Sequence, residues 1–327
     1  MNVVKYFRLR RHRNGKFGYY LACLLSYMLP DALFRRRLSR CLAGADEAVA
    51  RRADYYNRLD APFSLPDNTV TLKGFTFGNR KRLKTFRSAY FFDTVRYTRY
   101  FSPEKPFAFL FGDVTTVPEH PSVVKSRPVE GDNRNSVLLN LDRARHFVFL
   151  KDGKPFRDKR DMLVGRAAVY PSQSHRVRFW EMYFGHPLCD LGQVNRTEVV
   201  RWEWVVRPMP IDDHLDYKFI LCLEGNDVAT NLKWVMSSNS VAVMPRPKYE
   251  TWFMEGSLIG GVHYIEIRSD YSDLEQKLKY YIDHPEEAER IVENAHRHVA
   301  MFQDKRAERR IALAVLKKYF ELEQSKL

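Results

Sequence analysis

Residues 217–232 of the chain read YKFILCLEGNDVATNL, and this stretch decides the fold. It contains a continuous apolar run, Phe219–Leu223, which is typical of a strand buried on both faces of a parallel sheet. A polar turn follows, and the pattern predicts a helix that begins near Val228. Gly225 in the turn lets the backbone approach a ligand closely, and the first N–H groups of such a helix are free to bind a phosphate. The other interpretation is an ordinary strand-to-helix turn with Asp227 as N-cap, and the stretch alone leaves both open.

Strand and helix patterns alternate on both sides of this stretch. An apolar run at Phe107–Phe111 ends at Gly112-Asp113, which is typical of a buried strand followed by a loop. Downstream, the pattern predicts further strands at Met162–Ala168, Val241–Met244 and Val262–Ile267, and helices at His175–Phe184, Val228–Ser237 and Leu274–Ile282. Such alternation indicates βαβ units and therefore an α/β fold with parallel sheets.

The length of 327 residues is sufficient for two domains. A polar segment with Gly and Pro, KDGKPFRDKR at 151–160, is the predicted boundary between them. After Pro285 the chain has a helical pattern almost to its end. We therefore predict an N-terminal domain over residues 1–155 with a basic helical beginning, a C-terminal domain over residues 156–300, and a long C-terminal helix over residues 301–327 that packs back on the N-terminal domain.

The net charge of +14 is concentrated near the N-terminus. Residues 1–52 hold 12 basic and 3 acidic side chains, which gives +9, whereas the other 275 residues hold 42 and 37, which gives +5. This distribution and the lack of a nucleic-acid-binding motif argue against a nucleic-acid partner. The apolar run Leu21–Leu29 is less than half of the roughly 20 residues that a membrane span needs, and no convincing cleavage site follows it. Either this segment rests on an anionic membrane surface or its apolar face packs on the N-terminal domain.

The cysteines and the metal-ligand types are scattered. Cys23, Cys41, Cys189 and Cys222 are far apart, and the sequence contains neither HExxH nor D-x-D. The pattern predicts neither a disulfide framework nor a metal site, and it is typical of a cytoplasmic protein.

Three charged side chains stand at positions where α/β proteins place chemistry. Asp113, after a predicted strand, is either a catalytic carboxylate or a turn residue. Arg166, inside a predicted strand, needs an anionic partner, and a phosphate or a neighbouring carboxylate would serve equally. Arg176 falls on the following predicted helix, where a lone arginine is usually solvated.

Five segments, taken in order, resemble glycosyltransferase family 90, which includes bacterial lipopolysaccharide-modifying enzymes, fungal capsule-associated proteins and animal protein O-glucosyltransferases. They are Gly112–Arg127 (GDVTTVPEHPSVVKSR), Arg134–Phe147 (RNSVLLNLDRARHF), Asp161–Arg178, Tyr217–Asn239 and Tyr249–Asp270 (YETWFMEGSLIGGVHYIEIRSD). The resemblance covers roughly residues 107–300, and the chain looks like the bacterial lipopolysaccharide branch.

The resemblance implies a GT-B fold, in which two Rossmann-like domains face each other. The N-terminal domain would then face the acceptor, and the C-terminal domain would hold the nucleotide sugar. The implied activity is inverting, metal-independent transfer of a hexose from a UDP-sugar to a lipopolysaccharide or lipooligosaccharide core, with no cofactor.

The resemblance also implies roles for individual residues. Asp113 matches the general base, Arg166 matches the arginine that binds the donor diphosphate, and the turn at Gly225, Asn226 and Asp227 matches the donor-binding loop. The remaining expected contacts are Lys125 and Arg127 on the acceptor side, and Arg176, Asn231, Lys233 and Glu255 on the donor side.

The chain departs from the family pattern in two places. The arginine motif reads Gly165-Arg166-Ala167, so the aromatic residue before the arginine and the glycine after it are both replaced. Asn231 takes the place of an arginine that the animal members have. The diphosphate charge can be met by Arg166 with Arg176, with Lys233 or with a helix N-terminus, and the sequence does not choose among them.

The expected partners are therefore a UDP-sugar, a lipopolysaccharide or lipooligosaccharide acceptor and an anionic inner-leaflet surface, with no nucleic acid. The expected location is cytoplasmic, peripheral on the inner face of the cytoplasmic membrane. The alternative interpretation is a non-catalytic membrane-surface binding protein on an α/β scaffold.

Overall fold

Parallel strands form the sheets at the centre of both halves of the chain in the computed structural model, which describes residues 16–81, 83 and 86–324. The strands are β1 Phe109–Leu110, β2 Ser122–Val124, β3 Ser126–Pro128, β4 Ser136–Leu138, β5 Arg160–Ala167, β6 Cys189–Gln193, β7 Tyr217–Leu221, β8 Val241–Met244, β9 Tyr249–Thr251 and β10 Ile265–Glu266. The helices are α1 Lys16–Tyr27, α2 Asp31–Arg35, α3 Leu38–Leu42, α4 Glu47–Tyr56, α5 Ser88–Thr98, α6 Arg143–His146, α7 Ser174–Tyr183, α8 Ile211–His214, α9 Leu232–Met236, α10 Leu274–Asp283, α11 Pro285–Ala300 and α12 Lys305–Leu322.

The chain divides into two units. The N-terminal unit comprises the described residues of 14–144, 248–256 and 302–327, and the C-terminal unit comprises 145–247 and 257–301. The polypeptide therefore passes from one unit to the other four times between residues 144 and 302.

The C-terminal unit is built on a five-stranded sheet with the order β10-β8-β7-β5-β6, in which all neighbours are parallel. If the five strands of this unit are numbered by their position in the chain, from β5 as the first to β10 as the fifth, their order across the sheet is 2-1-3-4-5. This is the flavodoxin-like doubly wound arrangement. The order reverses between β5 and β7, where Leu163 pairs with Phe219. In such sheets ligands bind outside the carboxyl ends of the strands, at this switch point. The topology therefore selects one place in this unit for a site.

The central strands are apolar because both faces of the sheet are covered. Leu163, Phe219 and Val243 are fully buried in one hydrophobic cluster. Helix α11 adds a buried stripe at Ala288, Ile291 and Ala295, and Pro285 begins it at a position where a proline costs no hydrogen bond. Burial on both faces explains why these strands are continuous apolar runs in the sequence.

The N-terminal unit contains a smaller parallel sheet with the order β1-β2-β4 and an antiparallel pair of β3 with β9. Helix α12 packs against α3, α4 and α5, and its N-terminus is capped by Asp304, whose carboxylate accepts from the N–H groups of Arg306 and Ala307. The ring of Tyr56, at the end of α4, stacks on Trp252 with a centroid distance of 3.8 Å. Segments distant in sequence thus complete this unit.

The structure confirms the α/β class with parallel sheets, the strands around residues 162–168, 219–223 and 241–244, and the long C-terminal helix. The predicted strand Val262–Ile267 shortens to β10. The helix predicted from Val228 is wrong in its start, because α9 begins only at Leu232. Asn231 donates from Nδ2 to the carbonyl of Leu221 at 2.9 Å, a side-chain hydrogen bond that favours a turn over a longer helix. Among the described residues no helix is both long enough and apolar enough to cross a bilayer.

Candidate functional site

Arg176, on the first turn of α7, links the carboxyl ends of β5 and β7 at the switch point. Its Nη1 donates to the carbonyl of Ala168, one residue past β5, at 2.7 Å. On the other side, Nη2 donates to the carbonyl of Leu223 at 3.0 Å and Nε donates to that of Glu224 at 2.8 Å. The guanidinium therefore spans the gap where the strand order reverses, and the interpretation of Arg176 as a solvated surface residue is wrong.

The charge of Arg176 has no ion-pair partner among the described residues, because its hydrogen-bond acceptors there are backbone carbonyls. Burial lowers the pKa of Arg176 to about 10. The guanidinium still keeps its proton at neutral pH, so an uncompensated positive charge lies at the ligand-binding edge of the sheet. A positive charge at this place favours a negatively charged ligand.

The two loops that flank Arg176 are tied to each other by side chains. The Nε2 of His175 lies 2.9 Å from the carbonyl of Glu224, and Gln173 donates from Nε2 to Oδ1 of Asn226 at 3.2 Å. The Oε1 of Gln173 is buried and lacks a hydrogen-bond partner in the part of the chain that the structure describes. A Cβ on Gly225 would lie 3.4 Å from Nη2 of Arg176, so glycine keeps space beside the guanidinium. The site thus combines a cation, a glycine turn and a buried amide oxygen that lacks a hydrogen-bond partner among the described residues.

The sequence interpretation missed Gln173 and His175. The available signal was their position in the PSQSHR segment, between the end of a predicted strand and the start of a predicted helix.

The other predicted donor residues occupy different places. Asn226 is exposed at the tip of the β7 loop, whereas Asp227 is buried and Lys233 is fully buried in α9. Asn231 holds the loop against the end of β7 through its bond to Leu221. The structure therefore brings Gly225 and Asn226 to Arg176 and places Lys233 inside the unit. Helix α9, with five residues, does not supply the predicted helix N-terminus beside Gly225.

Arg166 forms the strand-end salt bridge that was one of its two interpretations. Its Nη2 lies 2.6 Å from Oδ1 of Asp190, and its Nη1 donates to the backbone carbonyl of Asp190 at 2.6 Å. The second oxygen of Asp190 accepts from the hydroxyl of Tyr217 at 2.6 Å. Because a carboxylate compensates this guanidinium, Arg166 is a weaker attraction for a phosphate than Arg176.

A surface cavity of about 380 Å³ opens beside the carboxyl end of β10. Its charged lining residues are the cations Arg268 and Lys277 and the carboxylates Glu266 and Asp273. Two cations and two carboxylates leave no net charge there, so the cavity does not compete with the switch point as an anion site.

In the N-terminal unit, Asp113 lies just past the carboxyl end of β1 and is held there by its neighbours. Gly112 has φ +130°, a conformation that side chains disfavour. The backbone of Val114 both donates to and accepts from the hydroxyl of Ser126, at 3.0 and 2.9 Å. The Nζ of Lys125, which follows β2, lies 2.5 Å from Oδ1 of Asp113. The Lys125 side chain is 2% exposed and that of Asp113 is 28% exposed, so a buried ammonium lies beside a partly exposed carboxylate.

Asn140 stands at the same edge of the parallel sheet, two residues past β4, and was not predicted. Its side chain is buried, and its Oδ1 has no hydrogen-bond partner among the described residues. The signal in the sequence was again a polar residue directly after an apolar run, Val137–Leu139. Asp113, Lys125 and Asn140 therefore mark the carboxyl edge of this sheet.

Two predicted contact residues are interior. The guanidinium of Arg127 is fully buried, with Nε 2.8 Å from Oε1 of Glu250 and Nη2 2.7 Å from the carbonyl of Tyr55. Burial lowers the pKa of Arg127, although the carboxylate of Glu250 opposes that shift. Glu255 is also buried, and its carboxylate accepts from the backbone N–H of Thr251 at 2.7 Å. In this conformation the buried Arg127 side chain is not exposed to an acceptor substrate. Glu255 belongs to the N-terminal unit rather than to the predicted nucleotide-sugar domain.

The described residues contain no cluster of three or more His, Cys, Asp or Glu side chains that could hold a metal ion. The chemical groups that the structure offers are thus a partly exposed carboxylate beside a buried ammonium in one unit, and an uncompensated guanidinium beside a glycine turn in the other.

Comparison with known proteins places these features in context. The model of glycosyl transferase family 90 matches residues 152–326. The chain is 44% identical to the O-glucosyltransferase LpsA of Dichelobacter nodosus over 286 residues, which are 88% of this chain and 87% of that protein. It is 33% identical to Protein O-glucosyltransferase 2 of Danio rerio over 87 residues, or 27% of this chain and 17% of that protein. A 121-residue stretch is 31% identical to the uncharacterized protein 027R of Frog virus 3 and covers 12% of it.

Proposed function

This chain belongs to glycosyl transferase family 90 and is a glycosyltransferase, and from that premise we propose that it transfers a hexose from a UDP-sugar to a lipopolysaccharide or lipooligosaccharide core. The sugar we propose is glucose, because two of the relatives carry the name O-glucosyltransferase. The proposed acceptor follows from the name LpsA and from the resemblance to the bacterial branch. Family membership stands against the alternative interpretation as a non-catalytic binding protein.

Arg176 is the observation that carries the proposal. A nucleotide sugar has a diphosphate that becomes more negative as the sugar leaves. In the proposed complex the Arg176 guanidinium, an uncompensated cation at the switch point, stabilises that charge in a site whose groups are already oriented. Gly225 admits the diphosphate close to the guanidinium, and Gln173 and Asn226 offer polar contacts to the donor.

Asp113 is the proposed general base. In the proposed step its carboxylate takes the proton of the acceptor hydroxyl while the hydroxyl oxygen forms a bond to the anomeric carbon. The bond from that carbon to the diphosphate oxygen breaks, and UDP leaves with its electron pair. Attack from the face opposite the leaving group inverts the anomeric configuration. The ammonium of Lys125 keeps Asp113 oriented, and a positioned base of this kind contributes about 10²–10⁴-fold.

The two units serve, in this proposal, as the acceptor-side and donor-side domains of a GT-B enzyme. No metal or cofactor takes part in the proposed step, in which the Arg176 guanidinium is the cation that stabilises the departing diphosphate. The enzyme acts at the cytoplasmic side, where nucleotide sugars are used.

The full-length chain, incubated with UDP-glucose, UDP-galactose, UDP-N-acetylglucosamine and GDP-mannose, tests the proposal by thermal shift and by sugar transfer to truncated lipooligosaccharide cores. We expect UDP-glucose to stabilise the protein and to label the core, with the same rate in EDTA. Stabilisation by none of the UDP-sugars would remove the donor assignment, and loss of transfer in EDTA that Mg²⁺ restores would overturn the metal-independent step.

A further inference from the structure

Helix α1 presents an apolar face whose large side chains are 46–82% exposed. The exposed large apolar residues of α1 and the turn after it follow at intervals of three, four and one, which places them on one stripe of a helix. Met28 is 74% exposed and Leu25 is 59% exposed. The full set is Phe17, Leu21, Leu24, Leu25, Met28, Leu29 and, in α2, Leu33.

The opposite face of α1 is fixed to the N-terminal unit through tyrosines. The hydroxyl of Tyr19 donates to the carbonyl of Ala89 at 3.3 Å, and that of Tyr20 lies 3.1 Å from Oγ of Ser88. The ring of Tyr27 meets Phe91 edge to face, with 5.7 Å between centroids. The sequence left two interpretations of Leu21–Leu29 open, and the structure shows that the aromatic side packs on the N-terminal unit while about half or more of each large aliphatic side chain stays exposed.

Arg99 holds the end of α1 in place. Its Nη1 donates to the carbonyl of Ser26 at 2.6 Å, and its Nη2 donates to that of Leu29 at 2.5 Å. Its Nε donates to the carboxylate of Asp31 at 2.9 Å, and its guanidinium lies over the ring of Phe34 at 3.8 Å. The carbonyls of Ser26 and Leu29 are therefore satisfied, and this end of α1 is fixed to the folded unit.

A group of cations follows the stripe along the chain. Arg35, Arg36, Arg37 and Arg40 are exposed, and none of them has an ion-pair partner within the described residues. The sole acidic side chain from residue 16 to residue 42, Asp31, is occupied by Arg99. The segment that carries the apolar stripe thus continues into four exposed cations that have no ion-pair partner among the described residues.

We propose that this stripe and its four arginines dock the protein on an anionic phospholipid bilayer, with α1 lying in the plane of the interface. Leucine, methionine and phenylalanine would enter the boundary of the acyl chains, and the arginines would contact lipid phosphates. Twelve residues of helix extend about 18 Å, which is too short to cross a hydrocarbon core of about 30 Å. A second copy of the chain fits less well, because pairing two stripes would bring two sets of unpaired arginines together.

Flotation of the purified full-length chain with vesicles tests the docking without any sugar donor, so its outcome is separate from that of the proposed enzyme activity. We expect binding to vesicles with 30% phosphatidylglycerol and far weaker binding to pure phosphatidylcholine. Leu25→Glu should lower the partition coefficient between vesicle and water roughly tenfold or more, because the variant loses the apolar area that the leucine buries in the bilayer. Replacing Arg35, Arg36 and Arg37 by glutamine should lower it about fivefold per arginine.

Matched variants separate docking from general surface effects. Ile259→Glu changes an apolar residue that is 57% exposed, close to the 59% of Leu25, and should leave vesicle binding unchanged. Replacing Lys279, Arg290 and Arg297 by glutamine removes three exposed cations of α10 and α11 and should also leave vesicle binding unchanged. Equal flotation of Leu25→Glu and the parent chain would overturn the proposal. So would a dimer in light scattering that Leu25→Glu converts to a monomer while vesicle binding stays the same.

Discussion

The ammonium nitrogen of Lys125 lies 2.5 Å from a carboxylate oxygen of Asp113, and the lysine is buried while the carboxylate is partly exposed. This arrangement orients a single carboxylate toward solvent at the carboxyl edge of the N-terminal sheet. A charge-assisted hydrogen bond of this kind fixes the orientation of the whole carboxylate group as well as its distance from the ammonium.

Asp113→Asn should reduce kcat of sugar transfer by about 10²–10⁴-fold, because the amide cannot accept the hydroxyl proton. Donor affinity, measured by calorimetry with UDP, should stay within about twofold, since the substitution preserves shape. Asp67→Asn, at an exposed turn of the same unit, is the control and should leave both quantities unchanged. Near-normal turnover of Asp113→Asn would remove this residue from the mechanism.

Lys125→Met should lower kcat at neutral pH by roughly 10²-fold, because the carboxylate loses the cation that positions it. Stopped assays at pH 7.5 measure the rate. An unchanged kcat would mean that Lys125 has only a packing role.

Arg176 and Arg166 should respond differently to substitution. Arg176→Lys keeps a charge but cannot span the carbonyls of Ala168 and Leu223, so kcat/KM for the UDP-sugar should fall by about 10²–10³-fold. Arg166→Gln breaks the pair with Asp190 and should lower the free energy of unfolding by about 1–3 kcal/mol. Urea denaturation and donor kinetics on the same two samples distinguish the roles. A larger kinetic loss in Arg166→Gln, per folded molecule, would transfer the diphosphate role to that residue.

Gly112→Ala should destabilise the protein by about 1–3 kcal/mol, because a side chain is strained at φ +130°. It should also lower turnover, since the turn that places Asp113 must shift. Gly131→Ala introduces comparable strain at φ +82°, in a place with no atom within 4 Å of the new Cβ. The control should therefore lose stability while its rate per folded molecule stays the same.

Stability should fall as the pH drops below about 6.5. Burial lowers the pKa of His214 from its ordinary value of 6.5, and the nearby charge of Arg166 lowers it further. The neutral ring accordingly favours the folded state at higher pH, and this contribution is lost between 6.5 and the lower folded-state value as the unfolded chain takes up the proton. Urea midpoints at pH 7.5 and 5.5 measure the change. The urea midpoints of His214→Gln at pH 7.5 and 5.5 should differ less than those of the parent protein. The same difference in both proteins would exclude His214 as the source of the pH dependence.

The parts of the fold that could be predicted are those whose signal lies within one segment. Tyr217–Leu221 and Val241–Met244 are buried on both faces, so their largely apolar sequences alone predict strands. The position of Asp113 after a strand could likewise be predicted from the sequence. The role of Arg176 was not, because Ala168 and Leu223 become neighbours only through the strand order, which no local pattern encodes. The pair of Arg166 with Asp190 depends in the same way on the register of β5 and β6. The predicted start of α9 was wrong because the side-chain hydrogen bond of Asn231 to Leu221 competes with the helix.

The repeated passage of the chain between its two units sets the order in which the protein can fold during synthesis. Asn57, at the end of α4, donates to the carbonyl of Val315, 258 residues later, and Tyr56 reaches Trp252, 196 residues later. At about 5–20 residues per second the ribosome needs roughly 13–50 s to deliver the partner of Asn57. The first segments of the N-terminal unit must therefore wait with their aromatic surface uncovered, while residues 145–247 emerge as one uninterrupted βαβ block. A nascent chain of this design depends on chaperones or on fast elongation for its first half more than for its second.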